Sequence, residues 1–370
     1  MKIAIDAKSF YNGPVSTRII LKNLVPELVK RFPDVDWIIF LDKKDKSLGF
    51  PCKEKNVHLQ YIWADVNQIS NLFVLPRFLK RHKVDLVIYQ MFPALSPTPS
   101  ITFIHDVLFR DFPEFFTWKE RLYFFPMSFL TRKVNRVMAT TDFVASDLIK
   151  HNYLLDRSMI DIVPLGVSSE FKPIDQHDPL FLESVKKRLN LPDRFLLFVG
   201  RLNVRKNLEN LLKAITLIQD KQIPLVVVGK AEWKAPALSK ILSDPALKGR
   251  ILMIGNISDK DLVAVYALSK IFCFPSYAEG FGLPPLEAMA SGVPVIASNT
   301  TSLPEVCGDA AAYADPNHPP AIAEAINSLL ASSDLYNQKK NEGIKRAAQF
   351  TWEKTAVAFM NSICKVLRLS

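Results

Sequence analysis

"IFCFPSYAEGFGLPPLEAMASGVPVIAS" (residues 271–298) is apolar at both ends and broken in the middle by a glycine-rich turn and a helical stretch. Neither "IFCF" nor "VIAS" alternates with polar residues. Each therefore reads as a strand buried on both faces, as in a parallel sheet covered by helices. Between them, Pro284 and Pro285 suit the first turn of a helix that starts near Leu283. Strand, turn, helix and strand in this order form a βαβ unit.

The same rhythm runs outward in both directions. "FLLFVG", "PLVVVGK" and "ILMIG" are further strands of the second half, and "DKDLVAVYALSK" is a helix. In the first half "MKIAIDA", "DWIIFLD", "VHLQYIW", "VDLVIYQ" and "SITFIHD" read as strands. "TRIILKNLVPELVKRF" and "NQISNLFVLPRFLKRHK" lie between them as helices, the second interrupted by Pro76. The stretch 163–180 carries three prolines and little periodicity, as an interdomain connector would. The fold expected is α/β with two doubly wound, Rossmann-like domains, the first over 1–172 and the second from 173 to 350. Open α/β sheets take ligands at the carboxyl ends of their strands, so the expected site is a cleft where two such edges face each other.

Composition narrows the function classes. At 370 residues, with 49% apolar and 23% charged residues, the chain has the make-up of a globular protein of more than one domain. No apolar run reaches the roughly 20 residues that span a bilayer. The opening "MKIAIDAKSF" does not read as a signal peptide. Cys52, Cys273, Cys307 and Cys364 form no CxxC pair, which suggests neither a disulfide framework nor a zinc site and fits a cytoplasmic location. The formal charge of +10 points to a polyanionic partner, but both halves are mildly basic without the stripe of a nucleic-acid binder. "DVDW" (34–37) has the spacing of a metal-binding DxD, yet it opens a strand at the end away from the ligand edge, so no metal is expected.

The second half carries the chemistry. "FVGRLNVRKN" ends a strand at Gly200 and then presents Arg201, Arg205 and Lys206, cations suited to a diphosphate. Gly280 and Gly282 allow the backbone to approach a ligand. Because the two prolines have no N–H, any amides aimed at an anion come from Phe281, Gly282 and Leu283. Glu287, one turn into the helix, would repel phosphate but can accept hydrogen bonds from ribose hydroxyls. Glu279, before the turn, can accept from hydroxyls further along the same ligand. Hydroxyls, diphosphate and ribose in a row describe a nucleotide sugar.

"EGFGLPPLE", "AMASGVPVIAS" and "LPEVCGDAA", with "FVGRLNVRKNLENLL", "IDIVPLGVSSEFKP" and "FIHDVLFRDFPEFF", resemble the retaining glycosyltransferases of family 4. The resemblance implies the GT-B fold. It also implies that Glu279 holds donor-sugar hydroxyls, that Glu287 binds the ribose, and that Arg201 and Lys206 neutralise the leaving diphosphate. His105 is similar to a first-domain residue beside the transferred sugar. Base contacts are expected around Lys230 and "GNISD". The terminal stretch 351–370 resembles a helix that crosses back onto the first domain. The chain departs from the pattern in "YNGPVS", where only Gly13 stands in a loop that often has two glycines, and at Cys307, where a small residue is usual.

The function expected is metal-independent transfer of a hexose to a glycan or lipid-linked acceptor, with no cofactor beyond the nucleotide sugar. By resemblance, the donor is GDP-mannose and the setting is bacterial cell-surface polysaccharide synthesis. A nucleotide-sugar epimerase, a phosphorylase-like enzyme and a non-catalytic binding module remain alternatives. Finally, residues 108–136 hold nine aromatic and six basic residues. Buried packing explains such a run, and so does a segment lying on an anionic membrane surface, which would make the protein peripheral on the inner face of the cell membrane.

Overall fold

A computed structural model describes residues 1–63, 69–230 and 241–369. The chain divides into two compact units, Met1–Gly166 with Thr351–Ser370, and Val167–Phe350. The change of unit falls between Gly166 and Val167, earlier than the expected boundary at 172.

In the first unit, seven parallel strands stand in the order β3-β2-β1-β4-β5-β6-β7. They are β1 (Lys2–Asp6), β2 (Asp36–Asp42), β3 (Val57–Ile62), β4 (Leu86–Gln90), β5 (Ser100–Ile104), β6 (Arg136–Ala139) and β7 (Ile160–Ile162). Every residue of β4 and β5 is buried, which is why these runs lack alternation. Among the described residues the α-helices between them are α1 (Val15–Arg31), α2 (Leu75–His82), α3 (Trp118–Phe124), α4 (Met127–Thr131) and α5 (Asp142–Lys150). Helix α1 runs through Pro26, and Pro76 stands at the junction where a π-helical turn passes into α2. A π-helical turn (Ser70–Val74) leads into α2, and Asn67 and Gln68 of the expected helix lie outside the described residues.

The second unit has six parallel strands in the order β10-β9-β8-β11-β12-β13. These are β8 (Leu196–Val199), β9 (Leu225–Val228), β10 (Ile251–Gly255), β11 (Ile271–Phe274), β12 (Val295–Ser298) and β13 (Ala311–Ala314). Their helices are α6 (Pro179–Arg188), α7 (Leu208–Leu217), α8 (Asp259–Leu268), α9 (Leu283–Ala290), α10 (Leu303–Cys307), α11 (Pro319–Ala331) and α12 (Ser333–Ala347). Helix α7 buries Leu208, Leu211, Leu212 and Ile215, the i, i+3, i+4, i+7 stripe of a core-facing helix. That stripe packs with Leu196, Phe198, Leu225, Val227, Ile322 and Ile326.

Helix α13 (Trp352–Leu367) returns to the first unit. Its Phe359 meets Phe103 of β5 edge-on at 6.0 Å, and Thr355 Oγ1 donates to the Pro164 carbonyl at 2.8 Å. Lys365 pairs with Asp161 at 2.6 Å, and Asp161 also holds Arg136 at 2.7 Å. The unit is therefore closed by a helix taken from the other end of the chain.

Candidate active site

In the second sheet the winding reverses between β8 and β11, so the loops that follow these two strands diverge to opposite sides and leave a crevice. The loop after β8 carries Arg205 and Lys206, and the loop after β11 carries Glu279. Backbone and side chains stitch the two loops together. Tyr277 N–H donates to the Arg205 carbonyl at 2.9 Å. Asn207, in the left-handed conformation that asparagine tolerates, donates its amide to the Pro275 and Pro316 carbonyls at 2.8 and 2.7 Å. Asn210 reaches the Tyr277 hydroxyl at 2.9 Å.

Glu279 lies at the centre. Lys206 Nζ donates to its Oε1 at 2.6 Å, and Arg205 Nη1 to its Oε2 at 2.9 Å. Arg205 Nη1 also bonds the Ala278 carbonyl at 2.5 Å, and Lys206 Nζ stands 4.7 Å above the Phe274 ring. Thr301 Oγ1 accepts the Glu279 N–H at 3.0 Å, which fixes the backbone too. Glu279 and Lys206 are both buried. Burial alone would raise the Glu279 carboxyl, but the Arg205 and Lys206 charges outweigh it and hold the group down to about 2. It is an anion throughout the physiological range.

Helix α9 begins at the next turn. Gly282 has φ +106°, and a Cβ there would stand 2.6 Å from Leu303 Cδ2, so both backbone and space require glycine. Among the described residues the amides of Phe281, Gly282 and Leu283 donate to no group of the chain. Phe281 itself is buried edge-on to Phe350 at 5.9 Å, and Ser302 Oγ donates to the Glu279 and Phe281 carbonyls at 2.8 and 3.1 Å.

Glu287, further along α9, has the opposite electrostatics. It is buried and accepts one hydrogen bond from the Tyr266 hydroxyl of α8 at 3.0 Å. Burial raises its carboxyl to about 7, and that hydrogen bond only partly offsets the effect. The two glutamates are thus a permanent anion and a carboxyl that changes charge near neutrality.

The other expected residues are placed as follows. Gly200 continues β8, its N–H on the Val228 carbonyl at 3.0 Å, and Arg201 follows it, exposed at the carboxyl edge. Lys230, also exposed, follows β9, and its carbonyl accepts Leu202 N–H at 3.3 Å. The cation that joins Lys206 on Glu279 is Arg205, one of the three cations expected in this loop, whereas the resemblance implied Arg201 and Lys206 as the diphosphate pair.

Gly13 and His105 belong to the first unit. Gly13 N–H donates to the Ser9 carbonyl at 2.8 Å, and a Cβ at Gly13 would lie 2.4 Å from that oxygen. Its need for glycine therefore comes from a tight internal turn. His105 follows β5, with Nε2 3.2 Å from Gln90 Oε1. Burial pushes its imidazole down to about 4, so it is neutral at pH 7. Cys307 is buried and its thiol is pushed up to about 12. Among the described residues there is no group of three or more potential metal-ligating side chains, and Asp36 of the DxD spacing opens β2.

Comparison with known proteins places this arrangement. The family model "Glycosyltransferase Family 4" matches residues 20–171, and "Glycosyl transferases group 1" matches residues 182–346. O-antigen chain mannosyltransferase B of Escherichia coli is 33% identical over 270 residues, covering 71% of this chain and 69% of that protein. The serotype-specific mannosyltransferase WbdA of Escherichia coli is 31% identical over 245 residues, covering 64% of this chain and only 30% of WbdA. Among solved structures, Anabaena Alr3699/HepE in complex with UDP-glucose superposes with a TM-score of 0.77 over 99% of this chain and 100% of that one. At 17% identity that likeness speaks to fold alone. Two successive family models and a relative of this similarity establish that the chain belongs to the family 4 glycosyltransferases, enzymes of GT-B fold.

Proposed function

We propose that this glycosyltransferase moves mannose from GDP-mannose to a glycan or lipid-linked acceptor of a bacterial surface polysaccharide, retaining the anomeric configuration and requiring no metal. The observation that carries the reading is the buried Glu279 gripped by Lys206 and Arg205 at the switch point of the second sheet. A sugar nucleotide presents hydroxyls and a diphosphate side by side, and this cluster offers an acceptor and two cations side by side. The mannosyltransferase names of the relatives support the sugar, and the UDP-glucose complex of HepE supports a nucleotide donor of some kind.

In this reading Glu279 accepts from sugar hydroxyls. Lys206, Arg205 and Arg201, with the amides of Phe281, Gly282 and Leu283, draw off the charge that develops on the leaving diphosphate, the task a metal ion would otherwise perform. Glu287 accepts from the ribose hydroxyls, and the backbone from Gly200 and around Lys230 receives the base. Roles for Gly13 in the donor loop and for neutral His105 beside the sugar rest on the family resemblance. The acceptor oxygen bonds to the anomeric carbon as the carbon–phosphate oxygen bond breaks on the same face, and the acceptor proton passes to the departing phosphate. Action at the cytoplasmic face of the membrane belongs to the same reading.

A thermal-shift panel of nucleotide sugars in excess chelator tests it, since a bound donor raises apparent stability by mass action. GDP-mannose and GDP should shift the midpoint and UDP-glucose should not. A shift by UDP sugars alone would replace the donor, and a shift that needs Mg²⁺ or Mn²⁺ would remove the claim of metal independence.

A further inference from the structure

Residues 118–129 of the first unit carry an apolar face turned outward. Trp118, Leu122, Phe125 and Phe129 are 64%, 64%, 70% and 59% exposed. Their 4-3-4 spacing places them on one side of α3 and α4, and it persists across the break at Pro126. The opposite side anchors the segment. Phe124 stacks on Phe109 at 5.0 Å and on Phe92 at 6.0 Å, and Met127 is fully buried. The aromatic run is thus shared between core and surface.

Cations surround the outward rings. Lys119 Nζ lies 5.8 Å from the Trp118 ring centre and Lys133 Nζ 5.5 Å from that of Phe129, with Arg121 exposed between them. The nearby acids are largely engaged. Glu120 closes the capping box of α3, accepting Thr117 N–H at 2.7 Å, and Asp111 pairs with Lys150 at 2.6 Å; Glu114 is exposed. A second exposed apolar stretch, Ile69, Leu72 and Phe73, is tied to the same region, because Asn71 donates to the Phe92 carbonyl at 2.6 Å and the Phe92 ring meets Tyr123 at 5.0 Å. Arg77, Lys80 and Arg81 follow it in α2. Among the described residues no helix is long and apolar enough to cross a membrane.

We propose that this face is a docking surface for a bilayer that contains anionic lipid. Rings and Leu122 enter the headgroup boundary, and Lys119, Arg121 and Lys133 meet lipid phosphates. The cation surplus beside the rings favours an anionic surface over an apolar protein partner or a second copy of the chain. The inference deepens the lipid-linked acceptor reading, on which it rests for its purpose, but it can be tested without donor or acceptor.

The test is co-sedimentation of the full chain with phosphatidylcholine vesicles and with vesicles containing phosphatidylglycerol. The variants are Trp118→Ser/Phe125→Ser/Phe129→Ser and Lys119→Glu/Lys133→Glu. Arg132 is left intact because its guanidinium is bonded to the Asn152 carbonyl. Wild type should bind anionic vesicles preferentially, and charge reversal should weaken partitioning at least about tenfold. The aromatic variant should lose binding, and both variants should keep the wild-type unfolding midpoint because the changed side chains are exposed. The proposal falls if wild type ignores vesicles, binds both kinds equally, or is unaffected by either variant. It falls equally if light scattering shows a dimer that the aromatic variant dissolves. Should it fall while nucleotide sugars still shift the unfolding midpoint, the donor reading stands without it.

Discussion

Lys206 and Glu279 form a 2.6 Å ion pair at the bottom of the loops after β8 and β11, and Arg205 holds the other carboxylate oxygen at 2.9 Å. One internal anion therefore neutralises and orients two cations that a diphosphate would also bind. In the proposed reading a nucleotide sugar shares cations already engaged by Glu279, while its sugar hydroxyls bring new donors to that carboxylate.

Breaking the pair from the cation side should be costly. Lys206→Met leaves Glu279 buried with Arg205 alone, and removing one member of a buried pair typically costs about 3 kcal/mol or more. Urea unfolding at pH 7 measures it. A loss under about 1 kcal/mol, the scale of a surface pair, would mean that the pair is solvated and the cluster is not preorganised.

Glu279→Gln should separate binding from chemistry. The amide is a weaker acceptor for sugar hydroxyls next to the reacting carbon, so kcat should fall by about a hundredfold or more. Nucleoside-diphosphate affinity should hold or rise, because Lys206 and Arg205 lose their internal counter-charge. Calorimetric titration with GDP checks this. Parallel losses of affinity and turnover would contradict the division of roles.

Glu287 predicts a pH signature. Its carboxyl keeps its proton up to about 7 in the folded chain, against the 4.5 of an ordinary glutamate. Between those values the folded state binds more protons than the unfolded one, so this group's contribution to stability falls as pH rises and levels off above about 7. The stability of wild type relative to Glu287→Gln should therefore decline from pH 5 to pH 7 and then stay flat. Glu279, held down to about 2, titrates outside this window. If ribose hydroxyls bond to ionised Glu287, nucleotide binding at pH 7 should also release protons, visible in calorimetry across buffers of different ionisation enthalpy. A flat stability difference would contradict the raised carboxyl, and binding without proton release would contradict the ribose contact.

Much of this was legible in the sequence, and what was missed has physical reasons. Strands buried on both faces, such as "LVIYQ" and "IFCF", announce themselves as unbroken apolar runs. Strands β6, β7 and β13 span only three or four residues, and the "AAYA" of β13 carries no β-branched side chain, so no strand was expected there. Glu279 and Lys206 were expected at the site, and Arg205 only as one of three loop cations, because which of several neighbouring cations reaches a carboxylate depends on the turn between them. Here Asn203 caps a 3-10 turn and Asn207 ends it in the left-handed conformation, which sends both Arg205 and Lys206 to Glu279. The 4-3-4 face of residues 118–129 was present in the sequence as an aromatic run, but only the fold decides which rings point inward.

The most direct test is proton NMR of GDP-mannose turnover by the full chain with a mannose-terminated acceptor, followed at the anomeric signals. The expected result is loss of the donor signal, release of GDP, and a new mannoside with the donor's own anomeric configuration, all suppressed in Glu279→Gln. A product of inverted configuration, or full turnover by Glu279→Gln, would contradict the account at its centre.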